Sequence, residues 1–388
     1  VSVTTPRGFV AAGIACGIKE SGAPDLALVA TDDGRPVTAA AVFTSNLATA
    51  APVQVSRAHL QATDHRAAAV VLSSGNANAA TGEQGRADAE RMCELVAADL
   101  GCDATHVLVC STGLIGIPLP MKPIELGIPQ LTAARAPDGG PQAARAIMTT
   151  DTHAKEVVVN GPGFTVGGLA KGAAMLAPNM ATMLAVLTTD AEVEQPALQH
   201  ALQQAVGTSF NALSVDGCTS TNDTVIVLAS GRAGPPAVPH AFEEALAAAC
   251  ANLAGQMAGD AEGATKVVRI WITGAASDAE AAIAARKVAE SQLVKCSFYG
   301  QDPYWGRVIS ELGSAGIAFE PDKVRVSYGG IAVCENGIAV DHDAATVAAH
   351  MAQRNIELVA DLGLGAGKGT ILTNDLTHAY IDENMGTS

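Results

Sequence analysis

GGLAKGAAMLAPNMATMLAVLTTDA, residues 167–191, is the most unusual stretch of the chain, and its reading decides the fold. Glycines and Lys171 lead into a Pro178-Asn179 turn signal, Ala181 and Thr182 follow, and MLAVLTT (183–189) is apolar and strand-like. Read locally, this is a tight turn feeding a buried strand. The same residues fit a second reading, because a Thr directly after a small Ala at a turn-to-strand junction suits an N-to-O acyl shift. Oγ of Thr182 attacks the Ala181 carbonyl, the ester hydrolyses, and a threonine amino terminus is freed. An α-amine with a pKa of about 8 then serves as general base to the neighbouring hydroxyl, so one residue supplies nucleophile and base. These residues alone leave both readings open.

Outward from this segment the chain alternates strand-like and helical stretches, which predicts a mixed α/β fold. AAAVVLSS (67–74) reads as a buried strand, Ala89, Met92, Leu95, Val96 and Leu100 recur at helical spacing, and HVLVC (106–110) reads as the next strand. It runs into STGLIG (111–116), a turn at a strand end where the Thr112 hydroxyl and the Gly113 N–H form the best oxyanion-stabilising pair in the chain. TVIVLAS (224–230) is a further strand, and a helix is expected from near Pro196. Ser277 and Glu280 form a capping box after the strand KVVRIWITG, SYGGIAV predicts a hairpin at Gly329-Gly330, and IELVADL with TILTND predicts another strand pair joined by glycine-rich chain.

Composition narrows the function classes. The 388 residues are 48% apolar but only 3% aromatic, so a large core must be built from small and aliphatic side chains at close backbone approach. With 23 Lys and Arg against 39 Asp and Glu, the net charge of −16 argues against nucleic-acid or anionic-membrane partners. The eight cysteines show no zinc or redox spacing and read as free thiols of a reducing cytoplasm. The first residues lack the pattern of a secretory signal, and no apolar run is long enough to span a bilayer.

Two features resemble sites without meeting their requirements. In GLGAGKGT (363–370), Leu362 and Gly369 stand where a phosphate loop needs Gly and Ser or Thr, so a glycine-rich connection is the expected reading. Asp341, His342 and Asp343 read as a solvated turn, and none of the nine histidines falls near Thr182.

The ordered segments STGLIG (111–116), AIMTTDT (146–152), AKGAAMLAPNMATML (170–184), CTSTNDT (218–224), DAEGATK (260–266), DPYWGRV (302–308) and THAYIDEN (377–384) resemble the ornithine acetyltransferase family of arginine biosynthesis, whose members include bifunctional glutamate N-acetyltransferases. The resemblance implies an α/β fold of the self-processed N-terminal-nucleophile type, like that shared by DmpA and the ornithine acetyltransferases. It implies autolysis between Ala181 and Thr182, an α fragment 1–181 and a β fragment 182–388, and association of the two into α2β2 or larger assemblies. Acetyl would pass from N-acetylornithine to glutamate through an acetyl-threonine at Thr182. No metal or bound cofactor is implied, although acetyl-CoA is a possible second donor. A self-processed aminopeptidase or amidohydrolase would use the same nucleophile on water.

The site residues so implied are Thr112 and Gly113 for the oxyanion, and Thr149 or Thr150, Lys171, Thr182, Glu262, Asn384 and the terminal Ser388 for substrate. From its position alone Lys171 reads as a surface or strand-end lysine, and Glu262 as a helix-end carboxylate. The chain ends ENMGTS where the family commonly has a segment like ENSAYTT, and Tyr304 replaces the Asn of the family's DPNWGR.

Overall fold

The structure is a computed structural model that describes residues 2–175 and 183–386. The chain folds into two compact units, Val1–Asn211 with Cys218–Met257 and Ala212–Gly217 with Ala258–Ser388.

Two sheets build the first unit. One has four strands in the order Phe9–Ile14, Leu26–Thr31, Ala69–Asn76, Val107–Leu114. The other has six, in the order Arg66–Ala67, Val37–Phe43, Thr224–Gly234, Leu184–Ala191, Phe164–Lys171, Lys155–Gly161. Their facing sides share one core, in which Val29, Leu72 and Leu108 of the first sheet meet Leu169, Val186 and Ile226 of the second. The outer face of the four-stranded sheet is covered by the helices Gly82–Leu100 and Met121–Ala133 through Met92, Val96, Ile124 and Ile128. On the six-stranded sheet the helix Gln195–Thr208 lies against Val37–Phe43, where the Gln199 amide exchanges hydrogen bonds with the backbone of Ala41. Leu184–Ala191 is buried along its whole length, as a central strand flanked by neighbours and covered on both faces must be.

The second unit is a seven-stranded mixed sheet in the order Leu213–Ser214, Gly367–Asn374, Val267–Ala275, Asn355–Asp361, Arg325–Tyr328, Ile331–Glu335, Ile338–Ala339. One face of Val267–Ala275 presents Val268, Ile270 and Ile272 to a core closed by Ala281, Ala285 and Val288 of the helix Asp278–Glu290. Among the described residues, no helix is long and apolar enough to cross a membrane.

The α/β class and most elements follow the sequence reading, with three corrections. The strand expected at 106–110 continues to Leu114, so Thr112 and Gly113 lie inside a strand and not in the turn beyond it. They stay in register with Ser74 and Gly75 up to an irregularity at Asn76. Asn355–Asp361 and Gly367–Asn374 are not partners: Val267–Ala275 lies between them, parallel to the first and antiparallel to the second. Their glycine-rich connection lets the chain pass close over a helix start, since a Cβ at Gly367 would sit 2.4 Å from the Ser277 carbonyl carbon. Finally, Ser277 Oγ accepts from Glu280 N at 3.2 Å, but the Glu280 carboxylate accepts from Ala318 N instead of completing the box.

The segments set aside also find structural roles. Lys368 N–H donates to Asp278 at 2.8 Å, and Asp343 accepts from Ala345 N and Thr346 N at 3.1 Å as the N-cap of Ala344–Met351. Among the described residues, no group of three or more His, Cys, Asp or Glu side chains is placed to hold a metal.

Candidate active site

In the first unit the candidate residues gather where the two sheets present neighbouring strand ends. Thr112 is 4% exposed and Lys171 3%, and Lys171 Nζ donates to Thr112 Oγ1 at 3.3 Å. Gly113 has φ +130°, and a Cβ there would lie 2.3 Å from the carbonyl carbon of Gly75 and 2.5 Å from Asn76 N. Only glycine fits so close to a neighbouring backbone in that conformation.

Asp151, buried between these elements, organises the cluster. Its Oδ1 accepts from Lys155 Nζ at 2.6 Å and from Gly172 N at 2.8 Å, while Oδ2 accepts from Thr149 N at 3.1 Å and lies 4.0 Å from Lys171 Nζ. Burial opposes ionisation of this carboxyl, but Lys171, Lys155 and the Gly172 N–H outweigh it and hold the pKa at about 2. Thr149 is half-buried beside Asp151, and Thr150 is exposed.

Ala181 and Thr182 lie outside the described residues, as does Ser388. The neighbours of position 182 are nonetheless fixed. Met183, one peptide bond along, donates its N–H to Asp223 Oδ1 at 2.8 Å, and its carbonyl accepts from Thr224 N at 3.1 Å. Leu184 pairs across the sheet with Lys171. Asn222 donates to the carbonyls of Ala77 at 2.6 Å and Ser111 at 2.9 Å, so the loop holding Met183 is tied to the residue before Thr112.

Burial also pushes the Asp223 carboxyl well above the ordinary carboxylate range, against the opposing effects of the Met183 N–H, the Lys171 charge and Ser220. Its Oδ2 has no hydrogen-bond partner among the described residues. Sequence reasoning missed Asp151, Asp223 and Asn222 as site residues, although their positions within AIMTTDT and CTSTNDT were visible. Burial pushes the thiols of Cys16, Cys110 and Cys250 up to about 12.

The second unit brings Glu262 and Asn384 together, with Asn384 Nδ2 donating to Glu262 Oε2 at 2.8 Å. Asn384 caps the helix His378–Glu383, whose start is anchored to the DAEGATK turn by Thr377 Oγ1 donating to Gly263 O at 2.7 Å. Glu262 lines a pocket of about 160 Å³ together with Asp216, Glu290, Lys295 and Asp375. Burial pulls Lys295 down to about 8, against the pull of the three carboxylates Asp216, Asp375 and Glu290, so the pocket is predominantly anionic. An ammonium group is the complementary ligand.

Comparison with known proteins gives concordant findings. The model of the ArgJ family matches residues 10–386. The chain is 47% identical over 388 residues to the arginine biosynthesis bifunctional protein ArgJ of Streptomyces coelicolor, covering 100% of both chains. It is 46% identical over 388 residues to that of Thermobifida fusca, again covering 100% of both. A solved ornithine acetyltransferase from Mycobacterium tuberculosis, complexed with ornithine, is 47% identical over a match covering 46% of this chain and 94% of that one, with a TM-score of 0.43.

Proposed function

The chain belongs to the ArgJ family, and from that premise we propose that it transfers acetyl from N-acetylornithine to glutamate through Thr182. The observation that supports this reading is that Lys171 reaches Thr112, beside Gly113, and pairs across the sheet with Leu184.

Thr182 Oγ first attacks the Ala181 carbonyl, the peptide nitrogen leaves as the Thr182 amine, and water hydrolyses the resulting ester. The freed amine then accepts the proton from Thr182 Oγ as that oxygen attacks the acetyl carbon of N-acetylornithine. Ornithine departs with that proton, and the glutamate amine takes the acetyl group in the second half-reaction. The Thr112 hydroxyl and Gly113 N–H stabilise each tetrahedral oxyanion. Lys171 adds positive charge at the same place.

The six-stranded sheet supports an N-terminal nucleophile at 182. Strands Phe164–Lys171 and Leu184–Ala191 pair directly across the proposed scissile bond, so fragments 1–181 and 182–388 would remain hydrogen-bonded after cleavage. Assembly into α2β2 and a cytoplasmic location belong to the same reading, as does acetyl-CoA as a second donor for glutamate.

Product analysis with each donor and glutamate tests the function, alongside N-terminal sequencing of the purified protein. Acetylglutamate and a fragment beginning at Thr182 are expected, whereas Thr182→Ala stays an intact 39.1 kDa chain without transfer activity. A fully active preparation of uncleaved chain would remove the proposed base, and acetate in place of acetylglutamate would make the enzyme a hydrolase.

A further inference from the structure

Lys19 is a second cation beside the Thr112-Gly113 strand end, and the mechanism above does not use it. Its backbone is held from below by Asp25, a fully buried carboxylate that accepts from Cys16 N at 2.7 Å, Gly17 N at 3.1 Å, Ile18 N at 2.6 Å and Lys19 N at 3.0 Å. Four converging N–H groups on one acceptor fix the turn and aim the lysine.

The stem passes over Gly75, where a Cβ would stand 3.0 Å from Lys19 Cγ, and Gly75 is the register partner of Gly113. At its far end Nζ donates to Pro24 O and Met148 O, both at 2.7 Å. Met148 immediately precedes Thr149, whose N–H is on Asp151. The ammonium therefore stands between the oxyanion strand end and the Thr149 turn. Lys19 makes no ion pair among the described residues, and its two carbonyl acceptors leave the third N–H without a protein partner there. Burial lowers its pKa, Lys171 lowers it further, and Asp25 and Asp151 offset part of this, so the two ammonium groups sense one another across the site. With Lys19 on Met148 and Lys171 beside the Asp151 that holds Thr149, two lysines flank this turn in a chain of net charge −16, a local site for an anion.

We infer that Lys19 binds the α-carboxylate of the amino-acid substrates, with its third N–H directed at the carboxylate oxygen. This rests on the acetyl-transfer reading, whose donor and acceptor both carry an α-carboxylate. The alternative is a tether that only holds Met148 in place.

Ornithine and 1,4-diaminobutane differ only by the carboxylate, so calorimetric binding of each to the processed wild type, Lys19→Gln and Lys19→Arg separates the two roles. Gln keeps a donor for a backbone carbonyl but removes the charge. The expected result is a roughly 10- to 100-fold loss of ornithine affinity in Lys19→Gln, with 1,4-diaminobutane changed less than about threefold and Lys19→Arg largely restored. Should Lys19→Gln fail to fold, Lys19→Met, which keeps an unbranched stem without the charge, is read the same way: ornithine must weaken more than 1,4-diaminobutane. Equal weakening of both ligands, or unchanged ornithine binding, overturns the inference while acetylglutamate formation by the wild type stands. A wild type that forms no acetylglutamate fails at the transfer reading, and the inference falls with it.

Discussion

Lys171 Nζ lies 3.3 Å from Thr112 Oγ1, both side chains almost wholly buried, so a cation polarises the hydroxyl proposed to face the developing oxyanion. Thr112→Val removes the hydroxyl at nearly constant shape. Loss of one such donor costs about 100- to 1000-fold in turnover, or 3 to 4 kcal/mol, and that range is expected here with little change in substrate binding. Turnover must be counted per mole of cleaved enzyme, because self-processing passes through a similar tetrahedral species. A folded, processed variant with unchanged turnover would show that Thr112 serves only its strand.

Gly113→Ala acts on backbone. The new Cβ would meet the Gly75 carbonyl carbon at 2.3 Å, in a conformation that L side chains rarely adopt. The parallel pairing of Ala69–Asn76 with Val107–Leu114 must open at this point, at a cost of several kcal/mol, on the order of other severe overpacking and strain effects. A thermal melt within a few degrees of wild type would contradict the contact.

Asp151→Asn leaves Lys155 and Lys171 without their shared counter-charge. Removing one partner of a buried ion pair costs about 3 to 5 kcal/mol, measurable as a shifted urea midpoint. The pH dependence has a definite sign. Because Asp151 is held at about 2, below the ordinary 3.8, its stabilisation is complete at neutral pH and is lost as pH falls through that interval. The stability gap between wild type and variant should therefore narrow in acid, and a gap constant down to about pH 2 would rule out an ionised Asp151.

Much of this site was legible because its chemistry is concentrated in contiguous segments. Thr112, Gly113 and Lys171 stand in STGLIG and AKGAAM, and strand periodicity placed them at strand ends to within a few residues. Asp151 and Asp223 were not legible as site residues, since a carboxylate in a polar loop looks the same whether solvated or buried. Their role comes from contacts 20 and 40 residues away, to Lys171 and Met183. The misread pairing of Asn355–Asp361 with Gly367–Asn374 has a similar origin. Adjacent strands suggest a hairpin, and nothing local announces that Val267–Ala275, some 90 residues earlier, separates them.

Asp223 offers the sharpest test of the loop that holds Met183. Its carboxyl is 1% exposed, Oδ1 accepts the Met183 N–H, and desolvation raises its pKa well above the ordinary carboxylate range. A folded pKa above the ordinary 3.8 means that the favourable contribution is fully present in acid and is lost as pH rises toward the folded value. Asp223→Asn has nearly the same shape, keeps an oxygen for the Met183 N–H and does not titrate. Relative to wild type it should gain stability with increasing pH, by up to about 1.4 kcal/mol per pH unit between the unfolded and folded pKa values. Asp223→Ala removes the acceptor, strands the Met183 N–H in a buried position at a cost of about 1 to 3 kcal/mol, and loosens the residue next to Thr182. Cleavage should accordingly slow in Asp223→Ala and persist in Asp223→Asn. Urea titrations of the three proteins from about pH 4 to pH 8, with the cleaved fraction followed by electrophoresis, read both effects. A wild-type to Asn gap that does not change with pH would mean that folding does not raise the Asp223 pKa.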